Sequence, residues 1–205
     1  MAAVVVMTSL AGVFWFMLFS PWTKAFVPFW PAMSASTAVL AVTAIVLDRK
    51  TLSDVYAFKT SHLFVGIVSA AVLYAFFFAG NFAAELLLPF ADSQIENIYS
   101  TKSQASPLTI SLLLFFWIGP AEEIFWRGFL QRRLAERSGE LIGFLIAAAL
   151  YTLVHIFSFN LMLILASALC GLFWGFIFKY FRSLWPAIIS HALWDLVIFV
   201  LLPVH

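Results

Sequence analysis

The chain has 205 residues, 64% of them hydrophobic and only 10% charged, with a mean hydropathy of +1.03. A soluble domain of this size is about half apolar and about a quarter charged, and has too much surface for its volume to hide this composition, so lipid is the solvent for most of the chain. A net charge of +1 gives no electrostatic basis for a nucleic-acid partner, and a single cysteine, Cys170, excludes an intrachain disulfide.

Seven apolar stretches approach or reach the roughly 17–25 helical residues needed to cross a hydrocarbon core: 3–21, 27–47, 61–80, 107–130, 141–158, 160–179 and 184–202. The expected fold class is therefore all-α, a polytopic transmembrane bundle of about seven helices forming one membrane domain over 1–205. The first stretch has no basic region ahead of its apolar run and no clear small-residue cleavage site after it. It reads as a retained membrane helix, and neither end of the chain carries a lipidation motif. Between the third and fourth spans, 81–106 is longer and more polar, and its first half, from Phe82 to Leu88, is expected to lie along the interface. The fifth and sixth spans are joined by a very tight turn near Ser158-Phe159-Asn160.

Basic residues fall asymmetrically among the connections. Those after the second, fourth and sixth spans hold Arg49, Lys50, Lys59, Arg132, Arg133, Arg137, Lys179 and Arg182, whereas those after the first, third and fifth hold only Lys24 and Lys102. The positive-inside rule then puts the N-terminus in the cytoplasm and the C-terminus outside. On compactness alone the membrane is read as a bacterial plasma membrane, with archaeal or organelle membranes as alternatives.

A charge inside a span costs roughly 2.5–3.5 kcal/mol on insertion scales, so each one is a functional candidate. The fourth span contains Glu122, Glu123 and Arg127, the fifth His155, and the seventh His191 and Asp195. Glu123 and Arg127 are spaced i,i+4 with the acid first, the better order for a helical ion pair, and Glu122 projects about 100° away from Glu123. We therefore expect Glu123 and Arg127 to neutralise each other and Glu122 to face a cavity. Pro120 leaves the Phe116 carbonyl without its helical donor, which predicts a kink or a bound water there. His191 and Asp195 are also i,i+4. Counted from the cytoplasmic ends, His155 comes out deeper than His191, so the fifth span must project or tilt for the two to meet.

A desolvated glutamate is a general base toward water, a neighbouring histidine orients that water, and a second histidine with an acid stabilises an oxyanion. Equally, Glu122, His155, His191 and Asp195 make a zinc set, with Zn2+ activating the water. Both routes end in hydrolysis of an acyl bond.

Three motifs, Glu122-Glu123-Ile-Phe-Trp-Arg127, Tyr151-Thr-Leu-Val-His155 and His191-Ala-Leu-Trp-Asp195, resemble in order those of the CPBP family of intramembrane proteases, which includes the CAAX prenyl endopeptidase. The continuation Arg127-Gly-Phe-Leu-Gln-Arg-Arg133 is similar too, and the resemblance covers about 107–200. It implies that Glu122 and His155 activate the water, that His191 and Asp195 stabilise the oxyanion, and that Glu123 and Arg127 hold the site together. Two departures stand out: Tyr151 replaces a usual phenylalanine, and Asp195 stands where asparagine is common, so Asp195 must be protonated, pair with His191 or bind metal. The implied substrate is a peptide or membrane protein, lipidated or not, approached from the cytoplasmic side.

Taken singly, each motif has a structural reading: an ion pair that locks helices, a helix-packing hydrogen bond, a satisfied buried histidine. His62 and His205 are assigned no role. A silent membrane scaffold and an ion- or proton-coupled transporter remain the alternatives, the second disfavoured by the absence of inverted repeats.

Overall fold

In a bilayer every backbone N–H and C=O must be bonded within its own segment or sheet, so an apolar chain without strand patterning crosses as helices. The computed structural model describes residues 1–49 and 55–204; Lys50 and His205 lie outside the described residues. Among the described residues there is no strand, and the helical segments join into eight helices. These are α1 (Ala2–Phe19), α2 (Phe29–Asp48), α3 (Thr60–Leu87), the short α4 (Ala91–Tyr99), α5 (Pro107–Ser138), α6 (Glu140–Ser158), α7 (Leu161–Phe181) and α8 (Trp185–Leu201). Six are long and apolar enough to cross a membrane, and α8 is a shorter apolar helix occupying the seventh predicted span.

Two boundaries differ from the sequence reading, and both have a local cause. The stretch from Phe82 to Leu87 continues α3 rather than lying along the interface, since no breaker precedes Pro89 and Asn81 Nδ2 donates to Glu85 Oε1 one turn on. At 28 residues α3 is about 42 Å long, so its last turns outrun a hydrocarbon core of about 30 Å. The amphipathic piece is instead α4, which buries Ala91 and Ile95 and exposes Asp92 and Glu96. Helix α5 continues eight residues past the predicted end at 130, because Arg132 to Ser138 is polar enough to leave the membrane yet contains no breaker. It stops at Gly139, whose φ of +87° suits a residue without a side chain.

That extension resolves the depth mismatch between the two histidines. A Cβ on Gly143 would lie 2.3 Å from the Ala135 backbone nitrogen, so the first turn of α6 runs beside the last turns of α5, beyond the predicted membrane exit. Helix α6 is thereby displaced along its axis toward the end carrying the basic connections. The tight turn into α7 is present as expected: Phe159 takes a left-handed conformation (φ 51°), and Asn160 caps α7 by accepting from the Leu163 amide at 2.9 Å.

The bundle is tied at both ends. At one, Lys24 Nζ donates to Asn97 Oδ1 at 3.0 Å, the Phe29 amide to Gln104 Oε1 at 2.9 Å, and Asn160 Nδ2 to the Gln94 carbonyl at 2.7 Å. At the other, Arg132 and Arg133 both pair with buried Asp48, and Trp185 Nε1 donates to the Tyr56 carbonyl at 2.7 Å.

Candidate active site

The unusual stretch of α5 starts just before Pro120. With no proline N–H to offer, the chain shifts to a wider turn in which the Gly119 amide reaches back five residues to the Leu114 carbonyl. A second wide-turned stretch follows over Ile124–Gln131, and a third lies in α8 over Leu196–Leu201. The expected irregularity at Pro120 is thus a π-type widening. It falls where α5 crosses α8 closely: a Cβ on Gly119 would lie 3.4 Å from Ala192 Cα, one residue from His191.

That close crossing builds a cross-helix bond which the sequence did not suggest. Glu123 Oε1 accepts from Arg127 at 2.9 Å, the expected i,i+4 pair, and also from His191 Nδ1 at 2.7 Å, with all three side chains buried. Since the carboxylate accepts from both, Nδ1 of His191 carries the proton and Nε2 faces Asp195, whose Oδ2 is 3.5 Å away. Asp195 thus lies beside His191 at ion-pair distance, longer than a normal hydrogen bond. Arg127 is held further by the Cys170 carbonyl of α7 at 3.3 Å and by the Tyr151 ring, 4.9 Å from its guanidinium carbon. Gly171 makes that reach short, as a Cβ there would meet the Ala148 carbonyl at 3.2 Å and Tyr151 Cδ1 at 3.2 Å.

Glu122 projects away from this cluster, as its position on the helix requires. Its Oε2 is 3.4 Å from the Tyr151 hydroxyl, a long contact that leaves Oε1 uncommitted. The Tyr151 hydroxyl, the departure noted in the sequence, therefore points at the candidate base. His155 is held on both nitrogens: Nδ1 donates to the Tyr151 carbonyl at 2.8 Å, and Nε2 accepts from Trp15 Nε1 at 3.0 Å. Trp15 belongs to α1, is fully buried, and packs edge-on against Trp126. Trp174 of α7 stacks on the His191 ring at 3.7 Å and 16°, fixing its plane. Neither tryptophan was marked by the sequence, because an aromatic residue in an apolar span carries no sign of which neighbour it meets. Trp194 adds a ring N–H that has no partner among the described residues.

Glu122, His155, His191 and Asp195 all line one cavity of about 780 Å³, with Tyr151, Trp174 and Trp194 beside them. Away from this polar floor the walls are chiefly apolar, as at Phe29, Met33, Phe76, Phe77 and Leu169. As arranged, the donors do not fit a zinc ion: His155 has no free ring nitrogen, His191 Nδ1 is bound to Glu123, and no three His, Cys, Asp or Glu side chains among the described residues are grouped to hold a metal.

A bundle with six helices long and apolar enough to cross a membrane, and with buried acids and histidines lining an apolar cavity, defines the class, a polytopic helical membrane protein. Residues 104–197 match the family model described as type II CAAX prenyl endopeptidase Rce1-like, so this segment is similar to the CPBP/CAAX protease family. The family is one of CAAX-protease-like intramembrane endopeptidases. The chain matches no curated protein and no solved structure.

Proposed function

We propose that the chain is an intramembrane endopeptidase that hydrolyses a peptide bond with a water activated by Glu122 and His155. The observation carrying this reading is that Glu122, His155, His191 and Asp195, from three helices, line a single chiefly apolar cavity and fall in the segment that matches the family model. Four ionisable side chains at membrane depth are costly to keep without a chemical use.

In the proposed reaction, Glu122 takes a proton from water through its uncommitted oxygen while the water oxygen bonds to the scissile carbonyl carbon. Negative charge moves onto the carbonyl oxygen, where His191, protonated on both ring nitrogens in this step, stabilises it through its Nε2–H, its ring oriented by Glu123 on one side and Trp174 on its face. The C–N bond then breaks, and the proton held by Glu122 passes to the departing nitrogen. His155 completes the water site once Trp15 releases its Nε2, since that lone pair is occupied in the resting arrangement. The apolar walls suit a substrate that carries a lipid chain or an apolar segment next to the scissile bond. Within that class, a prenylated peptide is the substrate the family's description favours.

The test is cleavage of quenched fluorescent peptides, prenylated and not, by the protein in nanodiscs, with His155→Ala beside the parent. Cleavage by the parent that fails in the variant supports the reading. A variant that cuts as fast as the parent contradicts it, and a proton flux abolished by the same change would favour a relay instead.

A further inference from the structure

The cavity and the basic connections lie at opposite ends of the bundle. Of the eight basic residues at the basic end of the spans, seven are described, with Arg132, Arg133 and Arg137 in the last turns of α5 and Lys179 in the last turn of α7, and they mark the end where Arg132 and Arg133 meet Asp48 and Arg182 meets Glu140. None of these seven lines the cavity. Its outer wall is instead formed by Lys24, Asn97, Ser100, Gln104, Asn160 and Val204, which belong to the connections after α1, α3 and α6 and to the segment after α8. Lys24, Asn97, Ser100 and Gln104 are exposed, so the mouth is at this end. His155 itself is three residues from the last residue of α6, about 5 Å of helix rise from that end.

Sorting of basic residues among short connections sets the orientation of a polytopic chain. Eight against two puts the end opposite the mouth in the cytoplasm. Cytoplasmic access, implied by the family resemblance, and a cytoplasmic N-terminus, implied by the charges, cannot both hold for a cavity placed in this way.

We propose that the cavity opens on the noncytoplasmic side of the membrane, so that the site acts on polypeptides already exported or anchored with their scissile segment on that face. The substrate part rests on the reading of the site as a peptidase. The side walls fit such a substrate. Helices α3 and α7 flank the cavity, with Phe76, Ala83 and Leu87 on one and Leu165 and Leu169 on the other, while α4 bridges them at the mouth through Gln94, which binds Asn160 and the Met162 amide. An apolar anchor resting in the outer half of the bilayer reaches this gap beneath α4. Lys24, Asn97 and Ser100 at the mouth and the whole α3 wall come from residues before 104, outside the segment shared with the family, so the access side is free to differ from what the shared segment implies.

Two measurements separate the mouth from the chemistry. The first uses a membrane-impermeant maleimide on intact cells producing Ser103→Cys, at the mouth end, or Arg137→Cys, at the basic end. Both positions are exposed, and the natural Cys170 is buried. Ser103→Cys is expected to label in intact cells and Arg137→Cys only after lysis; the reverse pattern overturns the proposal. In the second, a water-soluble quenched peptide carrying an apolar anchor is added to sealed right-side-out vesicles, with Glu122→Gln as the control. Cleavage by the parent without permeabilisation supports the proposal, and cleavage that needs permeabilisation overturns it. With labelling as expected but no cleavage on either side, the mouth stands and the peptidase reading, with its substrate, falls.

Discussion

Replacing Arg127 by methionine removes a buried charge and keeps most of the side chain's volume. Arg127 is 2% exposed and Glu123 is fully buried, so the change leaves a carboxylate in the protein interior with His191 as its one remaining donor. Breaking a buried pair from one side costs about 3–5 kcal/mol, because the abandoned charge is desolvated and uncompensated. For a protein of this length that corresponds to a fall in melting temperature of roughly 6–20 °C. The double variant Arg127→Met, Glu123→Gln abandons no charge, and the glutamine oxygen still accepts from His191. It is expected to melt above the Arg127→Met single variant, with a coupling of roughly 0.5–3 kcal/mol. Thermal unfolding in nanodiscs, followed by tryptophan fluorescence, reads both values. A fall of less than about 2 °C in the single variant, or strictly additive losses in the double, would refute the argument that Glu123 needs Arg127.

Other expectations follow from particular contacts. Trp15→Phe removes the hydrogen bond that occupies His155 Nε2, worth about 1 kcal/mol, so peptide cleavage should rise by up to about fivefold; a tenfold fall would mean that Trp15 positions His155 instead of capping it. Gly143→Ala forces a Cβ into the Ala135 backbone and should cost about 1–3 kcal/mol in thermal unfolding by splaying α5 from α6. Gly12→Ala, with nothing within 4 Å of the new Cβ, should instead leave stability unchanged or raise it by about 0.5–1 kcal/mol; equal losses at the two sites would contradict the packing described. Dialysis against a zinc chelator should leave the cleavage rate unchanged, because both ring nitrogens of His155 are held by Trp15 and the Tyr151 carbonyl and His191 Nδ1 is held by Glu123; loss of activity restored by zinc would mean that the site rearranges around a metal.

The spans were legible because hydropathy reports where the chain must avoid water, and in lipid that dictates helices. Helix ends were less legible, since hydropathy marks the exit from the membrane and not the end of a helix: α3 runs on to Leu87 and α5 to Ser138 until Pro89 and Gly139 stop them. Contacts within one helix could be read from spacing, as with Glu123 and Arg127. Contacts between helices could not. The bond from His191 to Glu123, the stack of Trp174 on His191 and the Trp15 cap on His155 all depend on how each helix is rotated about its axis, which a run of apolar residues leaves unspecified. The proposed side of the mouth rests on both sources, charges from the sequence and cavity walls from the fold.

The most direct test of the account is single-turnover cleavage of a susceptible peptide by Glu122→Gln in nanodiscs. Glutamine preserves the shape of the side chain but cannot take a proton from water. A general base is worth roughly 10²–10⁴ in rate, and the account predicts a loss in that range with melting temperature unchanged within a few degrees. Cleavage by Glu122→Gln within a few-fold of the parent would show that the water is activated elsewhere.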